Sequence, residues 1–428
     1  MPEQALLVHV KLSNSSYDSC ASIEEFKELA KSSDIKIVDL ITCNINKQID
    51  AKYLISKGKL ANIMSLVSLQ QISLVIFNYE LSASQQKNLE NFLHCKVLDR
   101  TELILYIFAK RARTFEGKLQ VELARLKHLS TRLVRVWTHL ERQRGGLGLR
   151  AGPGEQQIEI DRRIIKRKIK TITKNLEKIK QQRKLYRVCR QKSMSTVISL
   201  VGYTNSGKST LFNVLTNSKV PAINMPFVTL DPTLRSMFIP RVGQVILADT
   251  VGFIRDLPHH LIDAFKATLE EINSSDLLLH VIDVSDNNSI DRKRQVLQVL
   301  KQIGAIDIPI LEVYNKIDLR KSAFDELDDE LNLDATNWGV QISALHKTGI
   351  ENLILEISNS MCTELVNCKI KLIPKDANIR VELLNLCAIK NEVMDPITGE
   401  FKLDITIQKQ RWDKLCNKFI DLSKMVVT

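Results

Sequence analysis

A glycine-rich stretch in the middle of the chain, GYTNSGKST at residues 202–210, restricts the fold more than any other feature. It follows the apolar run Val197–Val201 and precedes a helical pattern. A strand, a loop of the form G-x-x-x-x-G-K-[ST] and a helix together make a phosphate-binding P-loop. The loop N–H groups face phosphate oxygens, and the helix dipole adds favourable charge. The sequence therefore predicts an α/β domain with a doubly wound sheet and a P-loop.

The residues of this loop and of a later acidic motif have distinct predicted roles. Lys208 would neutralise the β- and γ-phosphate oxygens, and the Ser209 hydroxyl would bind Mg²⁺ directly. Asp249 ends the apolar stretch GQVILAD and would hold the same ion through water, while the Gly252 N–H would contact the γ-phosphate. The predicted nucleotide-binding residues here are Gly202, Tyr203, Thr204, Asn205, Ser206, Gly207, Lys208, Ser209, Thr210, Asp249, Thr250, Val251 and Gly252.

The stretch MPFVTLDPTLR lies between these two motifs and supplies a third metal ligand. The Thr229 hydroxyl would complete the Mg²⁺ shell when the triphosphate is bound, and Thr233 is the alternative candidate. Phe227 and Val228 are predicted to lie against the same nucleotide. The predicted catalytic residues are Lys208, Thr229 and Gly252.

The identity of the base is predicted from the stretch VYNKID. The Asp318 carboxylate can accept hydrogen bonds from the N1–H and amino groups of guanine, a pair that adenine does not offer. Asn315 would tie this turn to the P-loop, Lys316 would cover the base plane, and the later stretch ISAL would reach the guanine oxygen through its backbone. The predicted ligand is GTP or GDP, held at this end by Asn315, Lys316, Ile317, Asp318, Ser343, Ala344 and Leu345.

Two positions predict how fast the nucleotide is hydrolysed. Phe253 follows Gly252, where a glutamine would orient the attacking water, and a phenyl ring has no group that does so. Hydrolysis by the free protein should therefore be slow, and backbone, an ion or a partner must supply the missing alignment. Asn205 resembles the P-loop asparagine of small GTPases that use K⁺, which makes K⁺ a second candidate cation beside Mg²⁺.

The excess positive charge of the chain is concentrated in residues 111–192. This segment holds 24 basic and 7 acidic residues, net +17, whereas the rest of the chain is net −5. Apolar residues recur there at steps of three and four, and the glycines and proline of residues 145–154 interrupt the pattern. We predict two long antiparallel helices with a glycine-rich tip. Such a basic hairpin favours a polyanion, above all nucleic acid, although a solvated helical surface has the same composition.

The two ends of the chain predict smaller domains. Residues 1–110 alternate four short apolar strands with helical patterns, which indicates a small parallel α/β sheet. Residues 369–428 contain the predicted strands 381–389 and 401–407 and a helix from Lys409, an α+β arrangement. The full prediction is an α/β domain 1–110, a hairpin 111–192, a P-loop domain 193–368 and an α+β domain 369–428.

Two further expectations concern the cellular compartment. The eight cysteines are scattered, with none of the close spacings of metal or redox motifs, and we expect free thiols in a reducing environment. The sequence has neither the basic start and long apolar stretch of a secretory signal nor an apolar run that spans a bilayer. We therefore expect a cytoplasmic protein.

Long stretches of the sequence resemble one family, the HflX GTPases of the Obg-HflX branch. The resemblance rests on ELSASQQKNLE, KVLDRTELILYIFAKRART, GGLGLRAGPGE, TLDPT and DTVGFIRDLPHHL, and extends from about residue 74 to 286. It implies that residues 1–192 bind the RNA and protein of the large (50S) ribosomal subunit, and that GTP controls association and release. The implied role is splitting or rescue of stalled ribosomes by a monomer.

Other interpretations remain open at this point. The chain could be a non-enzymatic ribosome-binding or hibernation-type factor for which GTP is a structural ligand. A kinase that uses the P-loop is a third class, but the sequence shows no acceptor site, and NKID conflicts with adenine. The last domain would either bind a ribosomal protein or pack on the P-loop domain.

Overall fold

The computed structural model describes most of the chain as two compact units. The first unit comprises Met1–Lys184, Ile223–Asp231 and Val251–Leu269, and the second comprises Leu185–Ala222, Pro232–Thr250 and Glu270–Thr428. The residues described are 4–12, 19–45, 50–136, 153–192, 196–218, 220, 225–229, 232–255, 272–286, 288–319, 339–361, 365–385, 388–395, 399–408, 412, 415–416, 419 and 422–427.

The first unit begins with a four-stranded sheet in the order β2-β1-β3-β4, and every pair in it is parallel. The predicted small parallel α/β domain is confirmed, because helices alternate with these strands as parallel crossovers require. The side chains of Leu6, Phe77 and Val97 are buried in its core. The strands are β1 Gln4–Leu12, β2 Lys36–Ile45, β3 Leu74–Phe77 and β4 Lys96–Leu98, and the helices are α1 Ser19–Ser32, α2 Lys57–Leu69, α3 Ala83–Leu93 and α4 Arg100–Arg111.

A buried carboxylate fixes the start of α4. Asp99 Oδ1 accepts a hydrogen bond from the Glu102 N–H at 2.7 Å, which satisfies one of the free donors at the helix start. The Arg132 guanidinium forms an ion pair with the other carboxylate oxygen of Asp99. Burial nevertheless raises the pKa of Asp99 to about 6, against the opposing effect of Arg132. The two contacts of Asp99 therefore fix where α4 begins and hold this end of the helix beside Arg132.

Two long helices follow, α5 Phe115–Val136 and α6 Pro153–Lys192. Thr114 Oγ1 accepts the Gly117 N–H at 2.9 Å and so caps the start of α5. An ion pair of 2.7 Å between Arg183 and Glu116 places the end of α6 beside the start of α5, as an antiparallel hairpin requires. Residues 145–152 of the predicted tip lie outside the described residues.

The second unit contains the P-loop domain, whose sheet has the order β10-β9-β8-β5-β7-β6. Only the pair of β6 and β7 is antiparallel among these strands. Parallel strands end at one edge of a sheet, so the loops that follow β5, β7, β8 and β9 meet there. The elements are β5 Thr196–Val201, α7 Lys208–Thr216, β6 Thr233–Ile239, β7 Gly243–Asp249, β8 Leu277–Asp283, α8 Ser289–Gln302, β9 Ile310–Asn315, β10 Val340–Gln341 and α9 Ile350–Met361.

The chain ends in an antiparallel sheet of order β12-β13-β11-β14. The predicted strand 381–389 is wrong: most of it belongs to a helix, because Ile379 and Leu383 are buried at a spacing of four residues. The strand predicted at 401–407 is present, and most of the helix predicted from Lys409 lies outside the described residues. The elements are β11 Leu365–Leu372, α10 Ala377–Asn385, β12 Ile389–Met394, β13 Phe401–Gln408 and β14 Val426–Val427.

Short 3-10 helices lie between some of the longer elements. The 3-10 helices are Ile272–Ser274, Ile317–Leu319, Pro374–Asp376 and Leu422–Met425. The thiols of Cys43, Cys95 and Cys368 form no disulfide. Across the described ranges, no helix combines the length and the apolar character needed to cross a bilayer.

Candidate nucleotide site

The Asn315 side chain joins the P-loop to the loop after β10. Its Nδ2 donates to the Ser206 carbonyl at 2.9 Å, and its Oδ1 accepts the Ala344 N–H at 3.0 Å. Gly207 has φ +95°, and a Cβ there would lie 2.2 Å from Asn315 Nδ2. The predicted tie between the NKID turn and the P-loop is therefore present. The Ala344 N–H, which the sequence assigned to the guanine oxygen, is part of that tie.

Lys208 is buried at the start of α7 and points into the P-loop. Its Nζ donates to the carbonyls of Gly202 at 3.1 Å and Tyr203 at 2.6 Å. Burial lowers the pKa of Lys208 to about 8, the Asp249 carboxylate opposes this shift, and the Lys316 ammonium adds to it. A phosphate group next to this amine would stabilise its charged form.

The oxygens of Ser209 and Asp249 form a pair suited to a hard cation. Ser209 Oγ donates to Asp249 Oδ2 at 2.8 Å, and the Asp249 side chain is fully buried at the end of β7. Thr250 holds this strand end, because its hydroxyl donates to the Leu200 carbonyl at 2.6 Å. Hydroxyl and carboxylate oxygens are the ligand types that Mg²⁺ prefers, so the donor set fits the predicted ion.

The predicted guanine-reading residues also lie in the second unit. Ser343 Oγ donates to Asp318 Oδ1 at 2.5 Å, and this hydrogen bond holds the pKa of the carboxyl below its usual range. Lys316 Nζ pairs with Asp283 Oδ2 at 2.6 Å, a contact that the sequence did not predict. Leu345 is 71% exposed beside these groups. A charged, oriented carboxylate of this kind is suited to accept two N–H groups from guanine.

The segment with the predicted ligand Thr229 packs within the first unit. Phe227 is buried and lies edge-to-face with Phe108 of α4, with ring centroids 4.6 Å apart. The Arg111 guanidinium contacts Met225 Sδ at 3.5 Å. Residues 225–229, which we call switch segment I, are therefore anchored on α4 by aromatic and sulfur contacts.

The segment that contains Gly252 packs within the same unit. Arg100 Nη2 donates to the Arg255 carbonyl at 3.0 Å and to Glu25 Oε1 at 2.5 Å. The Phe253 side chain is only 5% exposed, so its ring is packed against neighbouring side chains. We call residues 251–255 switch segment II; its anchor is also on α4.

Sequence reasoning missed Arg100 and Phe108 as partners of the two switch segments. Arg100 and Arg255 are 155 positions apart, so no local pattern relates them. The sequence does show a charged residue, Arg100, directly after the capping aspartate of α4. The same pair of residues also begins helices that hold no distant segment, so it does not identify Arg100 as an anchor.

The structure distributes the predicted site residues over both units. The alternative metal ligand Thr233 is the first residue of β6 and pairs with Asp249 in the ladder. Gathered in the second unit are residues 202–210, Asp249, Thr250, Asn315, Lys316, Ile317, Asp318, Ser343, Ala344 and Leu345; Phe227, Val228, Thr229, Val251 and Gly252 belong to the first.

Three family models match the chain, one after another. Residues 20–109 match the model described as "GTP-binding GTPase N-terminal". Residues 111–190 match "GTP-binding GTPase Middle Region", and residues 197–316 match "50S ribosome-binding GTPase". These three segments account for about two thirds of the chain.

Individual proteins match over similar lengths. The GTPase HflX of Escherichia coli K12 is 44% identical over 417 residues, which cover 97% of this chain and 96% of the relative. The GTPase HflX of Caldanaerobacter subterraneus subsp. tengcongensis is 45% identical over 362 residues, covering 85% and 81%. A solved GTP-binding protein from Sulfolobus solfataricus in complex with GDP is 28% identical, covers 83% of this chain and 97% of that chain, and has a TM-score of 0.45.

Proposed function

We propose, for a chain that belongs to the HflX family of GTPases and hydrolyses GTP, that its nucleotide state controls its binding to the large ribosomal subunit. One observation carries this proposal: both switch segments pack on α4 of the domain that continues into the basic hairpin. A change at the γ-phosphate would therefore reach the hairpin through α4.

The phosphate end of the site has a proposed role for each group. Lys208 neutralises the β- and γ-phosphate oxygens, and the Gly252 N–H contacts the γ-phosphate. Ser209 would hold Mg²⁺ directly, Asp249 would hold it through water, and Thr229 would join them when GTP is bound. The ion would neutralise the charge that develops on the phosphates during hydrolysis. Asn205 is the proposed neighbour of a K⁺ ion.

The base end selects guanine. Asp318, oriented by Ser343, accepts hydrogen bonds from N1–H and the amino group, and the wrong base would leave this carboxylate without partners. The Asn315 side chain holds the Ala344 N–H, and the backbone of residues 343–345 is proposed to face the guanine oxygen.

The ribosomal contact is proposed to use residues 1–192. Residues 111–192 carry a net charge of +17, which favours the phosphate backbone of RNA. GTP would order switch segments I and II and favour binding, and hydrolysis would release them and loosen it. Splitting or rescue of stalled ribosomes is the outcome that such a cycle would serve.

Sedimentation of the full chain with purified large subunits tests this proposal. We expect co-sedimentation with a non-hydrolysable GTP analogue, weaker binding with GDP, and loss of binding as salt is raised. Lys208→Ala should bind the subunit equally weakly with either nucleotide. The full chain is required, because residues 1–192 alone would leave Phe108 without Phe227. Equal binding in the GTP-analogue and GDP states would contradict nucleotide control.

A further inference from the structure

A small cavity lies behind the P-loop, between the loop, β8 and α8. The centre of a water-sized molecule can occupy about 10 Å³ of this cavity, which is room for one such molecule. Its lining includes the P-loop residues Tyr203 and Ser206, His280 of β8, and Arg292 and Val296 of α8. The sequence did not predict that these residues line one cavity, and the roles proposed for the nucleotide site do not use the cavity.

Two polar atoms of this lining are buried without a partner. Ser206 Oγ and His280 Nδ1 make no hydrogen bond within the described part of the chain, and both residues are 1% exposed. A buried polar atom without a partner costs free energy, so such atoms in proteins are nearly always satisfied by protein or by an ordered water. Two such atoms line one cavity with room for a single water molecule, so one bound water could satisfy both of them.

The hydroxyl of Ser206 lies on the sheet side of the P-loop. A Cβ at Gly202 would come within 2.4 Å of the Val281 carbonyl and 3.1 Å of Ser206 Oγ. The loop therefore passes close to the backbone of β8, one residue from His280. Ser206 also has its carbonyl bound by Asn315 at 2.9 Å, on the side of the base loop.

We propose that His280 is a positioning residue for the P-loop, because its Nδ1 and Ser206 Oγ hold one water molecule in this cavity. Ser206 is then fixed twice, by Asn315 at its carbonyl and by this water at its hydroxyl. The loop N–H groups are thereby held in the arrangement that binds phosphates. Preorganisation of this kind increases affinity, because binding no longer has to order the loop.

The surroundings of His280 suit this role. Burial lowers the pKa of His280 to about 4; Glu312 on the neighbouring strand opposes the shift, and Lys293 and Lys208 add to it. The ring is therefore neutral at physiological pH, with one nitrogen that donates and one that accepts. The Arg292 guanidinium lies 4.7 Å from the centre of the Tyr203 ring and covers the same end of the loop.

Substitutions at both partners of the water test the proposal on the full chain. In His280→Leu the ring nitrogen is lost, and we expect the Kd for a fluorescent GDP analogue to rise about tenfold. In His280→Asn the amide can replace Nδ1, and the Kd should return to within about twofold of the wild type. Ser206→Ala should weaken binding by itself and add little in the His280→Leu background, because both changes remove one shared interaction.

A purely structural role for His280 gives a different pattern. His280→Leu would then lower the melting temperature of the nucleotide-free protein and leave GDP affinity unchanged. His280→Asn would not restore the melting temperature. This pattern would overturn the proposal. If His280→Leu fails to fold, Ser206→Ala decides, since an unchanged Kd for it refutes the water bridge.

The inference rests on nucleotide lying on the P-loop, and Lys208→Ala tests that premise separately. Intact GDP binding by Lys208→Ala would refute the phosphate site. Lost binding by Lys208→Ala together with insensitive His280 and Ser206 variants would refute the positioning role of His280 alone.

Discussion

The nucleotide-holding residues and the switch segments are stabilised in different ways. In the second unit, Asn315, Ser343 and the buried Lys208 are fixed by hydrogen bonds among the loops of a single sheet. In the first unit, Phe227 and the Arg255 carbonyl are held by side chains of α4, outside the P-loop domain. The affinity for the nucleotide and the response of the switch segments to the nucleotide therefore depend on different residues.

Loss of the P-loop lysine should have the largest effect. Lys208→Ala removes the buried charge that faces the phosphates, and we expect GTP and GDP affinity to fall by at least about 100-fold. Lys301→Ala, on the exposed end of α8, is the matched control and should bind normally. Isothermal titration calorimetry measures both. Near-normal GDP affinity in Lys208→Ala would place the phosphates elsewhere.

Asp318→Asn should change which base is bound. The amide no longer accepts both guanine N–H groups, so GDP affinity should fall by about 100-fold. Xanthosine diphosphate has a carbonyl in place of the guanine amino group, and an amide N–H can donate to it. Competition between the two diphosphates measures the exchange of preference. Unaltered discrimination would show that Asp318 does not contact the base.

Raising the pH should weaken nucleotide binding without unfolding the protein. The pKa of Lys208 is about 8 in the nucleotide-free protein, and bound phosphates raise it. Below pH 8 the amine is already protonated and affinity is constant; above pH 8 binding must take up a proton, and GDP affinity should fall about tenfold per pH unit. A series of Kd measurements from pH 6.5 to 9.5 detects this. A flat profile would mean that Lys208 is not discharged in the free protein.

Loss of a contact between α4 and switch segment II should have the smallest effect on nucleotide affinity. It should change the stability of the switch segment instead. Arg100→Leu removes the hydrogen bond to the Arg255 carbonyl, and we expect the N–H groups of residues 251–255 to exchange with solvent about fivefold faster. GDP affinity should stay within about twofold, since the second unit is untouched. Arg125→Ala, on the exposed face of α5, is the control for hydrogen exchange. Unchanged exchange in Arg100→Leu would remove Arg100 as an anchor.

The sequence predicted those parts of the molecule that depend on local spacing. The P-loop, the NKID turn and the strand ending at Asp249 are each encoded within a few residues, and the structure gathers them at one sheet edge. The strand predicted at 381–389 is wrong even though the pattern that decides it is also local. Its apolar residues fit a strand by composition, but the burial of Leu383 with Ile379 follows helical spacing.

Contacts between distant segments could not be read from the sequence. Phe108 and Phe227 meet although 119 positions separate them, and a buried aromatic on a helix has no preferred partner in a linear pattern. His280 lies among the apolar residues Leu277–Ile282 of β8, and its cavity exists only once the P-loop is folded against this strand.

Single-turnover GTP hydrolysis, with and without purified large ribosomal subunits, tests the central claim most directly. We expect slow hydrolysis by the free protein, because Phe253 cannot orient water, and stimulation of about tenfold or more by the subunit. The double variant Arg100→Leu, Phe227→Leu should retain the slow rate and lose most of the stimulation. An absence of stimulation in the wild type would indicate that GTP is a structural ligand, and full stimulation of the double variant would contradict coupling through α4.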